Sequence, residues 1–329
     1  MRSLTSLTFV VGLAFAAVFA ASPARAVALN HTWVSSTGTD GSSCGSDTSP
    51  CATFAGALAN TNGSGEISCL TSGDFNAGYT LIQKPITINC EGVVGANIGY
   101  VVVNLPSTGN VVLRGLEING SSLSFPTCFG GTADAGLVTF FGAATLHLEK
   151  MKIGNLVGAG CGVLFEGLGS GPSVLDVTDC DITDIGSGTG TGIYITGLNN
   201  AANVSFSINN SRIVNNVFGV VVDGTASATV NGAIKNSVVS GNNTGNGITL
   251  SNSGGPSDQV LVEETTVLNN FHGLVARGST ANILVRNSSV TANALGLYTV
   301  NSGTLSSYGN NSVNNNTTDG AFTGTVGLK

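Results

Sequence analysis

A repeat of apolar positions constrains this chain more than any other feature. From Val111 onward, two alternating apolar positions, a polar pair often containing Asn, two further inward positions and a Gly opening an apolar strand recur in the same order. The last inward residue of each unit is Ile118, Ile153, Ile182, Ile213, Val239, Val267, Val290 and Val313. The spacing between them falls from 35 residues at the first step to 23 at the last two, so a core unit of 23 residues is constant and the excess sits in loops. Five residues before these references stand Leu113, Leu148, Val177, Ile208, Ile234, Val262, Val285 and Tyr308. Seven before them stand Val111, Leu146, Leu175, Phe206, Gly232, Val260, Ile283 and Ser306. Period-two alternation turns these side chains one way and their neighbours the other.

Three short strands per turn, with the same positions apolar on successive turns, describe a parallel β-helix. A single turn cannot bury its inward side chains and must stack on its neighbours. After each reference comes a Gly (Gly136, Gly162, Gly192, Gly219, Gly247, Gly273, Gly296, Gly320), most of them opening a strand such as Gly219-Val-Val-Val. Asn216, Asn242, Asn270, Asn293 and Asn316 follow the references by three, and Asn210, Asn236, Asn287 and Asn310 precede them by three, with Asp179 in an earlier unit. Both sets read as turn residues, because Asn tolerates the left-handed region and its amide can bond along a stack. About 9–11 coils are expected over residues 66–329.

The segment before the repeat, residues 27–65, reads as a cap. Cys51-Ala-Thr-Phe-Ala-Gly-Ala-Leu places Phe54 and Leu58 at helical spacing, and a short helix there covers the open edge of the first coil. Residues 1–26 read as a signal peptide: Arg2, an apolar run from Leu7 to Ala21, and a small-x-small site with cleavage near Ala26. Without that leader, 9 basic residues face 18 acidic ones. Such a chain has no basic footprint for nucleic acid or anionic lipid. No later stretch reaches the length of a transmembrane helix. Coils running almost to Lys329, with no translocator barrel behind them, point to a periplasmic or secreted protein.

Seven cysteines in an exported chain suggest disulfides and one spare thiol. Cys44 with Cys51 would clip the cap, Cys69 with Cys90 could join neighbouring leading coils, and Cys128 with Cys161 could pin the long loop of the first regular coil; the sequence alone leaves the connectivity open. Cys180 aligns with Leu116 and Met151 and is expected to be buried and free. No metal or other cofactor is expected: no Cys pair has zinc-ligand spacing and His is scarce.

The stretch from Trp33 to Leu58, the segment Leu81-Ile-Gln-Lys-Pro-Ile-Thr-Ile and the Asn/Gly coils together resemble the right-handed parallel β-helix proteins of the pectin-lyase-like superfamily, and more narrowly a group of small exported proteobacterial β-helix proteins. The resemblance covers nearly all of the chain after the leader. It implies the all-β fold and a link to polysaccharide, while the superfamily spans lyases, hydrolases, esterases, epimerases, tailspikes and adhesins.

Two faces carry candidate chemistry. On one, Glu117, Lys152, Asp181 and Arg212 stack on successive coils, Arg114 lies over Glu149, Lys150 over Asp179, and His147 over Asp176. Alternating signs satisfy one another across a ladder. The same residues, with Lys150, Lys152, Asp179, Asp181 and Arg212 foremost, could form a polar carbohydrate site. On the strand after the Gly, outward rows run Leu164, Tyr194, Val221, Thr249, Val275, Tyr298 and Glu166, Thr196, Asp223, Ser251, Arg277. Tyr194 and Tyr298 offer a stacking strip for sugars or are simply surface residues of a sheet. Glu166 and Asp223 stand two coils apart, roughly 10 Å, slightly beyond the carboxylate separation of an inverting glycosidase. No pectate-lyase arginine motif, no Asp-Asp pair of polygalacturonases and no Asp-Pro-His-Asp of alginate epimerases appears, although the resemblance would admit them. The expected role is non-catalytic binding of polysaccharide or cell-envelope glycan. The alternatives are a divergent polysaccharide lyase or hydrolase using Glu166, Asp223 and Arg277, and a structural or adhesive surface protein.

Overall fold

A computed structural model describes residues 28–75, 78–105, 108–129, 135–198, 203–225 and 228–327. The leader and its cleavage site lie outside the described residues. Strands of three parallel sheets alternate along the chain, and each pairs with the strand one coil before and one coil after it. The chain is a parallel β-helix. Among the described residues the shortest sheet holds nine strands and the others ten and twelve, so nine coils contribute to all three sheets. The leading segments are as regular as the rest: Thr61–Cys69, Ile86–Asn89, Tyr79–Ile82 and Tyr100–Leu105 pair in register with the later coils. Among the described residues no helix is long and apolar enough to cross a membrane.

One apolar core runs the length of the stack, built from the expected rows. Ile118, Ile153, Ile182, Ile213, Val239, Val267 and Val290 are all buried, and Phe140 stacks on Phe165 with centroids 4.4 Å apart. The helix Phe54–Asn60 covers the first coil, burying Phe54, Ala57 and Leu58. Thr53 caps its N-terminus by accepting from the Gly56 amide, and the Lys84 ammonium donates to the carbonyls of Leu58 and Thr61 at its C-terminus. The strand Leu29–Val34 pairs in parallel with Thr61–Cys69. The cap segment therefore supplies the first rung of a sheet as well as its cover.

The three disulfides are Cys44–Cys51, Cys69–Cys90 and Cys128–Cys161, which fit an oxidising, extracytoplasmic setting. Cys180 is free and buried, and burial pushes its thiol up to about 12, so it is protonated and unreactive at physiological pH.

Several expectations are corrected. Asn216, Asn242, Asn270 and Asn293 stack through their amides as expected and are buried, but they do not take the left-handed conformation. The left-handed position is the residue before each of them, as at Asn215, Gly241, Asn269 and Ala292. The buried amides form a ladder: Asn242 Oδ1 accepts from the Asn216 backbone amide at 3.0 Å, Asn270 Oδ1 from Asn242 at 3.2 Å, and Asn293 Oδ1 from Asn270 at 3.0 Å. The strand-opening glycines make room for it. A Cβ on Gly219 would stand 2.4 Å from the Gly247 carbonyl oxygen and 3.0 Å from Asn242 Nδ2. At the ends of the series the register differs by one: Gly136 pairs with Cys161, not Gly162, and Gly320 lies beyond the register position. In the last coil Leu305 and Ser307, not Ser306 and Tyr308, continue the rows of Ile283 and Val285. One extra residue between Ser307 and Val313 absorbs the slip.

A second inward ladder was not anticipated. Ser211, Ser237, Thr265 and Ser288 stand two before the references, and each hydroxyl accepts from the backbone amide of the coil before, starting at Cys180. The interior thus changes along the stack from apolar (Leu116, Met151) to hydrogen-bonded at one position.

The charge ladders pair largely as expected: Arg114 with Glu149, Lys152 with Glu117 and Arg212 with Asp181; in later coils Glu263 pairs with both Lys235 and Arg286. Lys150 instead reaches Glu91 of a leading coil, while Asp179 accepts from the Asn210 amide. His147 Nδ1 lies 3.1 Å from Asp176 Oδ2, and the Ser207 hydroxyl donates to the other oxygen. The hydrogen bond to Asp176 raises the His147 pKa, and the same bond lowers that of Asp176. The raised imidazole stabilises the fold below its unfolded value and loses that contribution as pH rises through the folded one. The lowered carboxylate does so above its unfolded value and loses it as pH falls. The pair therefore contributes most between about pH 4 and 6.5. Urea melts of wild type and His147→Gln should show their largest stability difference near the middle of that window and a smaller one at pH 8.

Candidate functional site

The third strand of each coil carries the outward rows. Residues 120–129 leave the stack after the strand Glu117–Asn119 and return over this face, where Cys128 is tied to Cys161 at the start of the strand Cys161–Gly167. The consequence is a small second core of Cys128, Cys161, Leu164, Tyr194 and Val221, with Phe129 and Phe218 packed against it. Phe129 stacks on Tyr194 at 5.2 Å with planes 7° apart and meets Phe218 edge-on at 5.8 Å. Tyr194 is only 6% exposed, so it is no open stacking platform. Leu164, Val221, Thr249 and Val275 are buried as well; Leu164 and Val221 pack in the small core with Cys128 and Phe129, so a loop 35 or more residues away in sequence covers part of a face that local alternation marks as outward.

Beside this cover lies a cleft of about 310 Å³ lined by Phe129, Tyr194, Phe218, Asp223, Ser251 and Arg277, with Val221, Asn246 and Thr249 at its floor and bank. Asp223 and Arg277 come together there as the row predicted. Both Asp223 oxygens are occupied: Oδ2 accepts from the Tyr194 hydroxyl at 2.9 Å, and Oδ1 from the Thr225 amide at 3.0 Å and hydroxyl at 2.7 Å. Arg277 is exposed and has no ion-pair partner among the described residues. Glu166 is 7% exposed and does not line the cleft; Thr196 stands between it and Asp223 in the row. The three residues of the lyase or hydrolase alternative are therefore not assembled around one space.

Tyr298 is 37% exposed and extends the floor two coils beyond Thr249. Its ring stacks on His272 at 4.9 Å. His272 Nδ1 lies 2.7 Å from Asn246 Oδ1, and Asn246 Nδ2 donates to the Thr249 hydroxyl, which fixes the amide orientation. His272 thus donates from Nδ1. Burial and then Arg277 lower its pKa, so the imidazole is neutral at pH 7. His272 and Phe129 were missed by sequence reasoning. The first aligns with Asn246 in the row before the floor and was legible there; the second depends on the loop's return.

Of the side-face candidates, Lys150, Lys152 and Asp181 line two shallow grooves of about 220 and 190 Å³, and Asp179 and Arg212 line neither. Lys150, Lys152 and Arg212 spend their charge on Glu91, Glu117 and Asp181. Asp40, Cys44 and Cys51 are the one group of ligand-type atoms close enough together to hold a metal among the described residues, and both thiols are used in a disulfide.

No protein-family model matches the chain, and no curated protein matches it. Among solved structures it is similar to pectate lyase Pel9A, with 16% identity and a TM-score of 0.49 over 85% of this chain and 68% of that one. It is also similar to a periplasmic alginate epimerase, AlgG, with 12% identity and a TM-score of 0.36 over 74% of this chain and 70% of that one. No residue of either is carried over to the cleft.

Proposed function

We propose that this protein binds an acidic polysaccharide or cell-envelope glycan in the cleft beneath Phe129 without turning it over. The observation that carries this reading is the charge balance of the cleft. Asp223 is held by Tyr194 and Thr225, whereas Arg277 has no carboxylate partner among the described residues. A free guanidinium beside hydroxyls and an aromatic wall suits a carboxylated sugar, since its planar fork matches a carboxylate in two bonds. Asn246, Thr249 and Ser251 offer polar groups to sugar hydroxyls along the same strand. Successive coils rise about 4.8 Å, which is close to the length of a pyranose unit, so a glycan lying along the stack meets an equivalent position at each sugar.

The same geometry supports binding without turnover. General acid–base chemistry needs a free group within reach of the bond being broken. Asp223 accepts three hydrogen bonds, and Glu166 lies outside the cleft. Titration calorimetry with an oligogalacturonate should show binding, and Arg277→Ala should weaken it about tenfold or more, the size of one charge-assisted hydrogen-bond pair. Release of reducing ends or unsaturated sugars by the wild type, or unchanged affinity in Arg277→Ala, would refute the reading.

A further inference from the structure

A second hollow, separate from the Arg277 cleft, lies at the corner where the second strand of the late coils turns into the third. It has a volume of about 310 Å³, and its rim is formed by Asn243, Asn269, Phe271, Ala292, Asn315 and Thr317. Its origin is the turn chemistry of the stack. Asn269, Ala292 and Asn315 occupy the left-handed position of three successive coils, with φ of 53°, 56° and 57°. The two asparagines stand two coils apart, roughly 10 Å, and the small Ala292 between them leaves the hollow. The floor is the buried ladder: Asn270 and Asn293 spend their amides on each other and on the Val239 and Val267 carbonyls. The rim amides behave differently. Asn243, Asn269 and Asn315 are exposed, and among the described residues none of their side-chain amides has a partner in the protein. Phe271 is 49% exposed, yet its ring is held edge-on to His272 at 4.5 Å. No lining side chain carries a charge.

We propose that this corner hollow is a second carbohydrate subsite, one that takes an uncharged sugar unit. Each unpartnered amide can donate and accept at once, which is what neighbouring sugar hydroxyls require. The Phe271 ring offers an apolar face to the C–H side of a pyranose, and because it is already held by His272, little freedom is lost on binding. A carboxylated unit finds no cation here, which separates this hollow from the Arg277 cleft. The subsite goes beyond the acidic-glycan reading and does not depend on it.

The test is titration calorimetry of the full chain with cellohexaose, xylohexaose and maltohexaose, and in parallel with an oligogalacturonate. At least one neutral hexasaccharide should bind the wild type. Its affinity should fall about tenfold in Phe271→Ala and by a similar factor in the double variant Asn269→Gly, Asn315→Gly. Glycine keeps the left-handed backbone free of strain, so that variant remains folded even where Phe271→Ala does not. Arg277→Ala should leave neutral binding unchanged. If no neutral probe binds, or binding survives the double variant, or Arg277→Ala abolishes it, the proposal is wrong. Failure of the acidic-glycan reading shows separately, in the oligogalacturonate arm.

Discussion

Asn270→Ala should cost about 3–5 kcal/mol of stability in urea, whereas Asn269→Gly next to it should cost less than about 0.5 kcal/mol. The two residues are neighbours of one type in one turn, and their surroundings decide the difference. Asn270 Oδ1 accepts from the backbone amide and the side chain of Asn242, at 3.2 and 2.7 Å, and its Nδ2 donates to the Val239 carbonyl at 3.2 Å and to Asn293 at 3.0 Å. Truncation orphans groups on both adjacent coils in an interior that water does not reach, and each such group costs about 1–3 kcal/mol. Asn269 is exposed and its side chain bonds to nothing among the described residues. Because coils in a solenoid are stabilised by their neighbours, the loss should also appear locally. Hydrogen exchange should accelerate at the amides of Asn216, Asn242 and Asn270, while those around Ile88 and Leu113 stay protected.

Replacing both Cys128 and Cys161 by Ser should destabilise the protein by about 2–4 kcal/mol, in line with the loop of 33 residues that the bond closes. The functional loss should be larger than the global one suggests. The disulfide is what holds Phe129 over Tyr194 and Phe218, and the cleft wall is built from those rings. Without it the loop ends become free to separate, so oligogalacturonate affinity should drop at least as far as in Arg277→Ala. Replacing Cys69 and Cys90 instead should lower stability and leave affinity intact, since that bond joins leading coils remote from the cleft. Equal affinity in both double variants would show that the loop is not part of the site.

The apolar rows, the disulfide partners and most charge pairs were legible because each is a nearest-neighbour relation. Residues such as Ile182 and Ile213, or Asp181 and Arg212, occupy the same slot of adjacent repeats, and aligning the repeats aligns the contacts. Three things escaped for identifiable reasons. Asn is favoured both in left-handed turns and in buried amide ladders, so composition alone does not separate Asn269 from Asn270. The run Ser211, Ser237, Thr265, Ser288 was visible as a column, but the hydroxyls look like surface residues until the backbone amides of the preceding coil that donate to them are seen. The cover on Tyr194 is a contact between Phe129 and a strand some sixty residues later, and no periodicity encodes it. The candidate site was thus half legible. The row holding Asp223 and Arg277 came from the repeat, and the wall that makes it a cleft came from an insertion into the repeat.

The most direct measurement is a crystal structure of the protein with a bound oligogalacturonate. The account predicts an intact oligosaccharide lying along the third sheet beside Phe129, with a carboxylate on Arg277 and hydroxyls toward Asn246 and Ser251. A ligand seated on the Lys150 and Lys152 face with the Phe129 cleft empty, or one cleaved between its sugars, would contradict it.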